Sequence, residues 1–247
     1  MATAKSPLTS DTFRFLKDLG KNNKKAWMDA NRERYRTALV EPFRGLLERL
    51  APHMLSLSPE FLVTGRSGDN FSRINRDTRF AREKHPYRTH YYLFFRGVSG
   101  HRKGGPHFYV GASPETVTAG LRIYHEGRGT ELAEVAIPRA MENADWLRRQ
   151  KRRLARMYES YWYSTERGAW AKHEAWPVDT AEWNKLKGWV VRRQFLPSEA
   201  RSPKFVGEIE ATFRHLYPLY LFLSGGKWSP NGRTKRTDSP GGLNRFL

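Results

Sequence analysis

Arg73, Arg76 and Arg79 recur at a spacing of three around a single acid, Asp77, in FSRINRDTRFAREKHPYR (71–88). Lys84 and Tyr87 follow, the tyrosine placed by Pro86, and the run then meets the most aromatic stretch of the chain, HYYLFFRG. A carboxylate ringed by guanidiniums stays ionised and holds their forks in fixed orientations. Forks held in that way present their remaining N–H groups to a phosphate, carboxylate or sulfate. Lys84 would add a point charge and Tyr87 a hydroxyl. A spacing of three in an extended segment sends successive side chains in different directions, so the three arginines cannot share one face by strand geometry alone.

Composition bounds what such a site could serve. The chain has 247 residues, 38 % hydrophobic and 28 % charged, with 14 Phe, 11 Tyr and 8 Trp, enough for a substantial core. It has no cysteine, which excludes disulfides, thiolate metal sites and thiol catalysis. The eight histidines lack metal-triad spacing, and no phosphate-binding glycine loop, dinucleotide fingerprint or nucleophile elbow occurs, so no metal and no cofactor are expected. No stretch approaches eighteen apolar residues, and the N-terminus lacks the apolar segment of a signal peptide. The expectation is a soluble cytoplasmic protein without a membrane partner. A net charge of +19 attracts polyanions and makes nucleic acid a candidate partner.

The elements that would carry the site read as α+β: helices at the N-terminus, a central, largely antiparallel sheet, and a C-terminal helix closing a single core. Ser10 or Asp11 can cap a first helix that Gly20 stops, and Asn23 can cap a second. On that second helix Asn31 and Arg34 interrupt the apolar stripe and require partners or water. Pro42 suits the first turn of a third helix, whose Phe43, Leu46, Leu47, Leu50 and Met54 fall at core spacing. DNFSRINR, RTHYYLFFRG, HFYVGAS and VTAGLRIYH read as strands. Alternation puts Phe108, Val110, Leu121 and Ile123 inward and Tyr109, Arg122 and Tyr124 outward, a floor on which a polar ligand could rest or an ordinary solvent-facing side.

Further on, Arg148 to Arg156 contains six basic residues, and five of the eight tryptophans lie between Trp162 and Trp189. That interleaving fits a single-stranded nucleic-acid platform, or more plainly a solvated basic helix and a tryptophan-rich loop packed on the core. Ser202 and Pro203 open a last helix that Pro218 should bend. Residues 10–223 read as one domain, and the basic segment 224–247 as a disordered tail.

The run from Arg73 to Tyr87, RINRDTRFAREKHPY, resembles the signature of the domain of unknown function 2461 family. An opening like FLKDLGKNNKKAW, the aromatic strands after Tyr87 and a closing helix ending PLYLFL extend the resemblance from about Phe13 to Leu223. Glu83 departs from the family's usual Asp or Asn, and TAGLRIY is less glycine-rich than its counterpart. The resemblance implies one α+β domain with an Arg/Asp/Lys/Tyr constellation and supplies no activity. Three readings of Arg73, Arg76, Asp77, Arg79, Lys84 and Tyr87 follow: a binding site for a phosphorylated or otherwise anionic ligand, possibly nucleic acid; the site of a phosphoester-acting enzyme; or a buried ion network that fixes local structure in an interaction protein.

Overall fold

The structure, a computed structural model, describes residues 5–77, 79, 85–98, 105–124, 132–164, 170–172, 176–177 and 180–230. It is α+β, built on one six-stranded sheet in the order β1-β2-β3-β6-β4-β5, with every neighbouring pair antiparallel.

Helix α1 (Ser10–Lys21) starts one residue earlier than expected, because Thr9 takes the N-cap position and its N–H donates to Thr12 Oγ1 at 3.3 Å. Gly20 does not stop it; Asn22 closes the last turn, its backbone N–H and its Nδ2 both donating to the Asp18 carbonyl. Asn23 caps nothing, since α2 (Lys25–Ala30) begins after Lys24. Short α3 (Arg32–Tyr35) then runs through a π-turn at Arg36–Val40 into α4 (Glu41–Leu57). The interrupted stripe finds its partners: Arg34 forks between Asp11 (3.0 Å) and Asp18 (2.8 Å), and Asn31 Nδ2 donates to the Trp27 carbonyl. Pro42 lies in the first turn of α4, and all five of the expected core residues there are buried.

Strands β1 (Tyr91–Arg96), β2 (His107–Ala112) and β3 (Val117–Tyr124) form an antiparallel meander. A second π-turn, Leu132–Ala136, leads into α5 (Ile137–Glu142) and the basic α6 (Ala144–Leu154). Then come β4 (Glu159–Ser164), β5 (Trp170–Lys172), α7 (Thr180–Lys185), β6 (Leu186–Phe195), α8 (Pro197–Ala200) and α9 (Phe205–Leu223). Helix α9 lies against β3 and α4, and Phe213 meets Phe108 at 4.9 Å and Phe95 at 6.0 Å between ring centres. It begins at Phe205, after a turn held by Ser202, and runs through Pro218 to Leu223.

Three further expectations change. DNFSRINR is not a strand: it is tied down by isolated bridges, Phe71 to Leu93 and Asn75 to Tyr87. The cause is Asn70, fully buried, whose Nδ2 donates to the Leu62 and Phe94 carbonyls and so occupies the place a ladder would use. The segment read as a tryptophan-rich loop instead supplies β4, β5 and α7, and β6 follows. The tail's first residues are also docked: Trp228 packs against Trp146 and Phe222, and Arg139 donates to the carbonyls of Leu221, Phe222, Ser224 and Gly226. Residues 231–247 lie outside the described residues.

One face of the sheet is covered by helices. The other is laid out by register in cross-strand rows: Phe94, Tyr109, Gly120, Arg192 and Glu159 in one, Arg96, His107, Arg122, Val190, Tyr161 and Lys172 in the next.

Candidate anion site

The signature segment folds back on itself. Arg76 N–H donates to the Pro86 carbonyl and Arg88 N–H to the Ile74 carbonyl, both at 2.8 Å, around the Asn75–Tyr87 bridge. Asn23 explains why it does not cap a helix: its Oδ1 accepts from Tyr87 N–H at 3.0 Å and its Nδ2 donates to Tyr87 O at 2.9 Å. Tyr87 is thereby held with only 7 % of its surface exposed.

This two-strand fold separates the arginines, as their spacing requires. Arg73 turns toward a cavity of about 340 Å³ shared with Arg32, Arg44, Tyr35 and Tyr91. Arg76 and Asp77 line a different cleft, of about 530 Å³, with His85, Tyr87, Arg88 and His90. Arg79 lies on the rim: its Nε reaches Asp77 Oδ1 at 3.1 Å, its Nη2 reaches Oδ2 at 2.7 Å, and its backbone N–H adds a third bond to Oδ1. The Arg79 guanidinium and its backbone N–H hold the Asp77 carboxyl below its usual range. The pair is open to solvent, with 58 % of the Asp77 and 78 % of the Arg79 side chain exposed, so a buried ion network does not describe these two residues. Lys84 and Glu83 lie outside the described residues.

The Arg76 and Arg88 side chains make no hydrogen bond or ion pair among the described residues. Burial, then Arg88 and Arg76, lower the pKa of His90, which favours the neutral imidazole. No group of three or more His, Asp or Glu among the described residues could hold a metal ion, and no helix among them is long and apolar enough to cross a membrane.

The profile of the family described as conserved hypothetical protein, domain of unknown function 2461, matches residues 11–222. The chain belongs to that family. No curated protein matches it. In this DUF2461 chain the sequence-predicted site residues are thus divided: Arg76, Asp77 and Tyr87 share one cleft, Arg79 bolts its rim, and Arg73 serves another.

Sequence reasoning reached only part of a second concentration of chemistry, on the open sheet face. A cavity of about 340 Å³ there is lined by Tyr92, Phe94, Tyr109, Tyr161 and Trp170, with Thr118, Arg122 and Arg192. Tyr109, Arg122 and Tyr124 were legible as outward; Tyr161, Trp170 and Arg192 were not, because β4, β5 and β6 were not read as strands. The other four tryptophans between 162 and 189 are buried, so they offer no stacking platform.

Proposed function

We propose that this protein binds a phosphorylated or otherwise anionic ligand in the cleft beside Tyr87, with Arg76 and Arg88 as the anion-holding groups. The observation that carries the reading is that both guanidiniums open onto a cleft of ligand size with no protein acceptor among the described residues. Asp77, pinned by Arg79, stiffens the rim rather than moving protons, since a carboxylate held below its usual range is a poor general base. The reading is therefore one of binding and not of turnover. The +19 chain would draw such ligands by long-range attraction, including nucleic acid phosphates, and its expected setting is the cytoplasm.

The test is isothermal titration of the full chain with inorganic phosphate, phosphorylated sugars and a short single-stranded oligonucleotide, at low and high salt. Binding that weakens steeply with salt, and by about tenfold or more in the Arg76→Gln/Arg88→Gln double variant, is expected. A folded double variant that binds as the wild type does would remove the cleft from consideration.

A further inference from the structure

We propose that the open face of the sheet is a second binding site, for a flat aromatic ring carrying a phosphate group, the chemistry of a mononucleotide. The two cavities share no lining residue, and they adjoin where His90 meets Tyr92, 5.2 Å between ring centres.

The argument begins with Arg122. Its guanidinium lies over the rings of Trp170 (5.1 Å) and Tyr124 (5.6 Å), and its Nε is buried without an acceptor. Among the described residues it makes no hydrogen bond or ion pair at all. A half-buried cation with five donors and no acceptor is costly to keep, and such groups are retained where a ligand completes them. Arg192 faces the same cavity from the neighbouring strand, stacked on Tyr161 at 4.0 Å, its Nε also buried and 3.6 Å from Glu159. Glu159 is shared between Arg192 and Lys172, the latter at 2.7 Å, so Arg192 is partly compensated while Arg122 has no carboxylate among the described residues.

Register gives the spacing. Arg122 is paired with Val190 and Arg192 with Gly120, which makes the two arginines diagonal neighbours about 7–8 Å apart at their stems. Two forks at that separation can close on one tetrahedral group, and a phosphate monoester carries about −1.5 to −2 charges, matching the pair. A carboxylate would balance only one of them.

Apart from Thr118 and Val190, the rest of the lining is aromatic. Tyr92, Phe94, Tyr109, Tyr161 and Trp170 surround the space, while Gly120 raises no side chain between Tyr109 and Arg192. Burial pushes the Tyr109 phenol up to about 12, so its hydroxyl stays a donor. Burial, with Arg96 and Arg122 nearby, takes His107 down to about 3, so it adds no positive charge. The two cations stand mid-sheet, with Tyr92, Phe94 and Tyr109 on the β1–β2 side and Tyr161 and Trp170 on the β4–β5 side, so a flat ring can gain area and stacking on one flank while the phosphate it carries meets the forks.

The experiment is titration calorimetry in the Arg76→Gln/Arg88→Gln background, which removes the anion-holding groups of the cleft beside Tyr87. The probes are AMP, phenyl phosphate, ribose 5-phosphate and inorganic phosphate. Saturable one-to-one binding of AMP or phenyl phosphate is expected, with the two probes lacking an aromatic ring at least about tenfold weaker. Adding Arg122→Gln should weaken the ring-bearing probes about tenfold or more, and Trp170→Leu at the sheet edge should weaken them without affecting inorganic phosphate. Without ligand, Arg122→Gln should raise the unfolding midpoint by about 2–4 °C, because it removes an uncompensated charge. The proposal is overturned if neither ring-bearing probe binds the folded background protein, or if the ringless probes bind as tightly. It is also overturned if Arg122→Gln lowers the midpoint or fails to fold, since that arginine would then be holding the sheet. Loss of AMP binding on passing from wild type to the background itself would assign the ring to the cleft and overturn the second site.

Discussion

His90 shows how a single residue couples the cleft to pH. In the free protein, burial and the charges of Arg88 and Arg76 hold it neutral, while Asp77 and His85 complete the titratable lining. An anion between those arginines cancels part of their field, which raises the His90 pKa toward its ordinary 6.5 and draws a proton in with the ligand. Affinity for sulfate, whose own charge does not change in this range, is therefore expected to strengthen as pH falls toward and below 6.5, by at most about tenfold per pH unit, and His90→Gln should flatten the profile in calorimetry. Without ligand the sign is opposite for stability: the unfolded chain protonates first, so the His90 contribution is lost as pH falls below 6.5. Asn70 acts on structure alone. Its amide satisfies the Leu62 and Phe94 carbonyls and accepts from Gly65 N–H, so Asn70→Ala should cost about 3 kcal/mol in denaturant unfolding. The divergence of Arg73 from Arg76 was legible in their spacing. The roles of Asn70, Asn23 and Arg88 were not, since each depends on a backbone brought in from far along the chain.

At the level of elements, the sequence declared its first three strands because each is a β-rich run bounded by turn residues, and in β2 and β3 inward and outward residues alternate. Strands β4 and β6 hid behind composition. ESYWYS reads as part of a tryptophan-rich loop and LKGWVVRRQF carries no strand reading of its own, yet Trp162, Trp189 and Val191 point into the core beside α7 and α9 while Tyr161 and Arg192 turn to the open face. At Gly120 β3 and β6 approach so closely that a Cβ would overlap the Val191 carbonyl oxygen and crowd the Arg192 backbone. Gly120→Ala is thus expected to destabilise the fold by about 2 kcal/mol or more, measured by denaturant unfolding, whereas Gly207→Ala on α9, where a Cβ meets nothing within 4 Å, should be neutral or mildly stabilising.

For the molecule as a whole, the domain's C-terminal boundary is set by contacts rather than by the end of α9. Arg139 gathers four carbonyls beyond and within that helix's last turn, and Trp228 seats on Phe222 with Arg139 above it. Arg139→Ala and Trp228→Ala should each lower stability by about 2 kcal/mol, and the double variant should fall short of their sum because the two side chains touch. A composition rich in Gly, Ser and Pro gave no hint of this docking, since one tryptophan and a distant arginine decide it. The α+β class and the order of helices, sheet and closing helix were legible, because they follow from periodicity that tertiary context did not override.

The pairing of β3 with β6 joins Val117 to Phe195 and Tyr124 to Gly188. The β1–β3 meander can zip up locally, but this seam has to await a strand some sixty to eighty residues further on, so it closes late and slowly during folding. Arg122 and Arg192 stand on opposite sides of it. A ligand held by both would act as a clasp across the last-formed junction: it would leave the early hairpins untouched, slow unfolding more than it speeds folding, and lengthen the lifetime of the native chain.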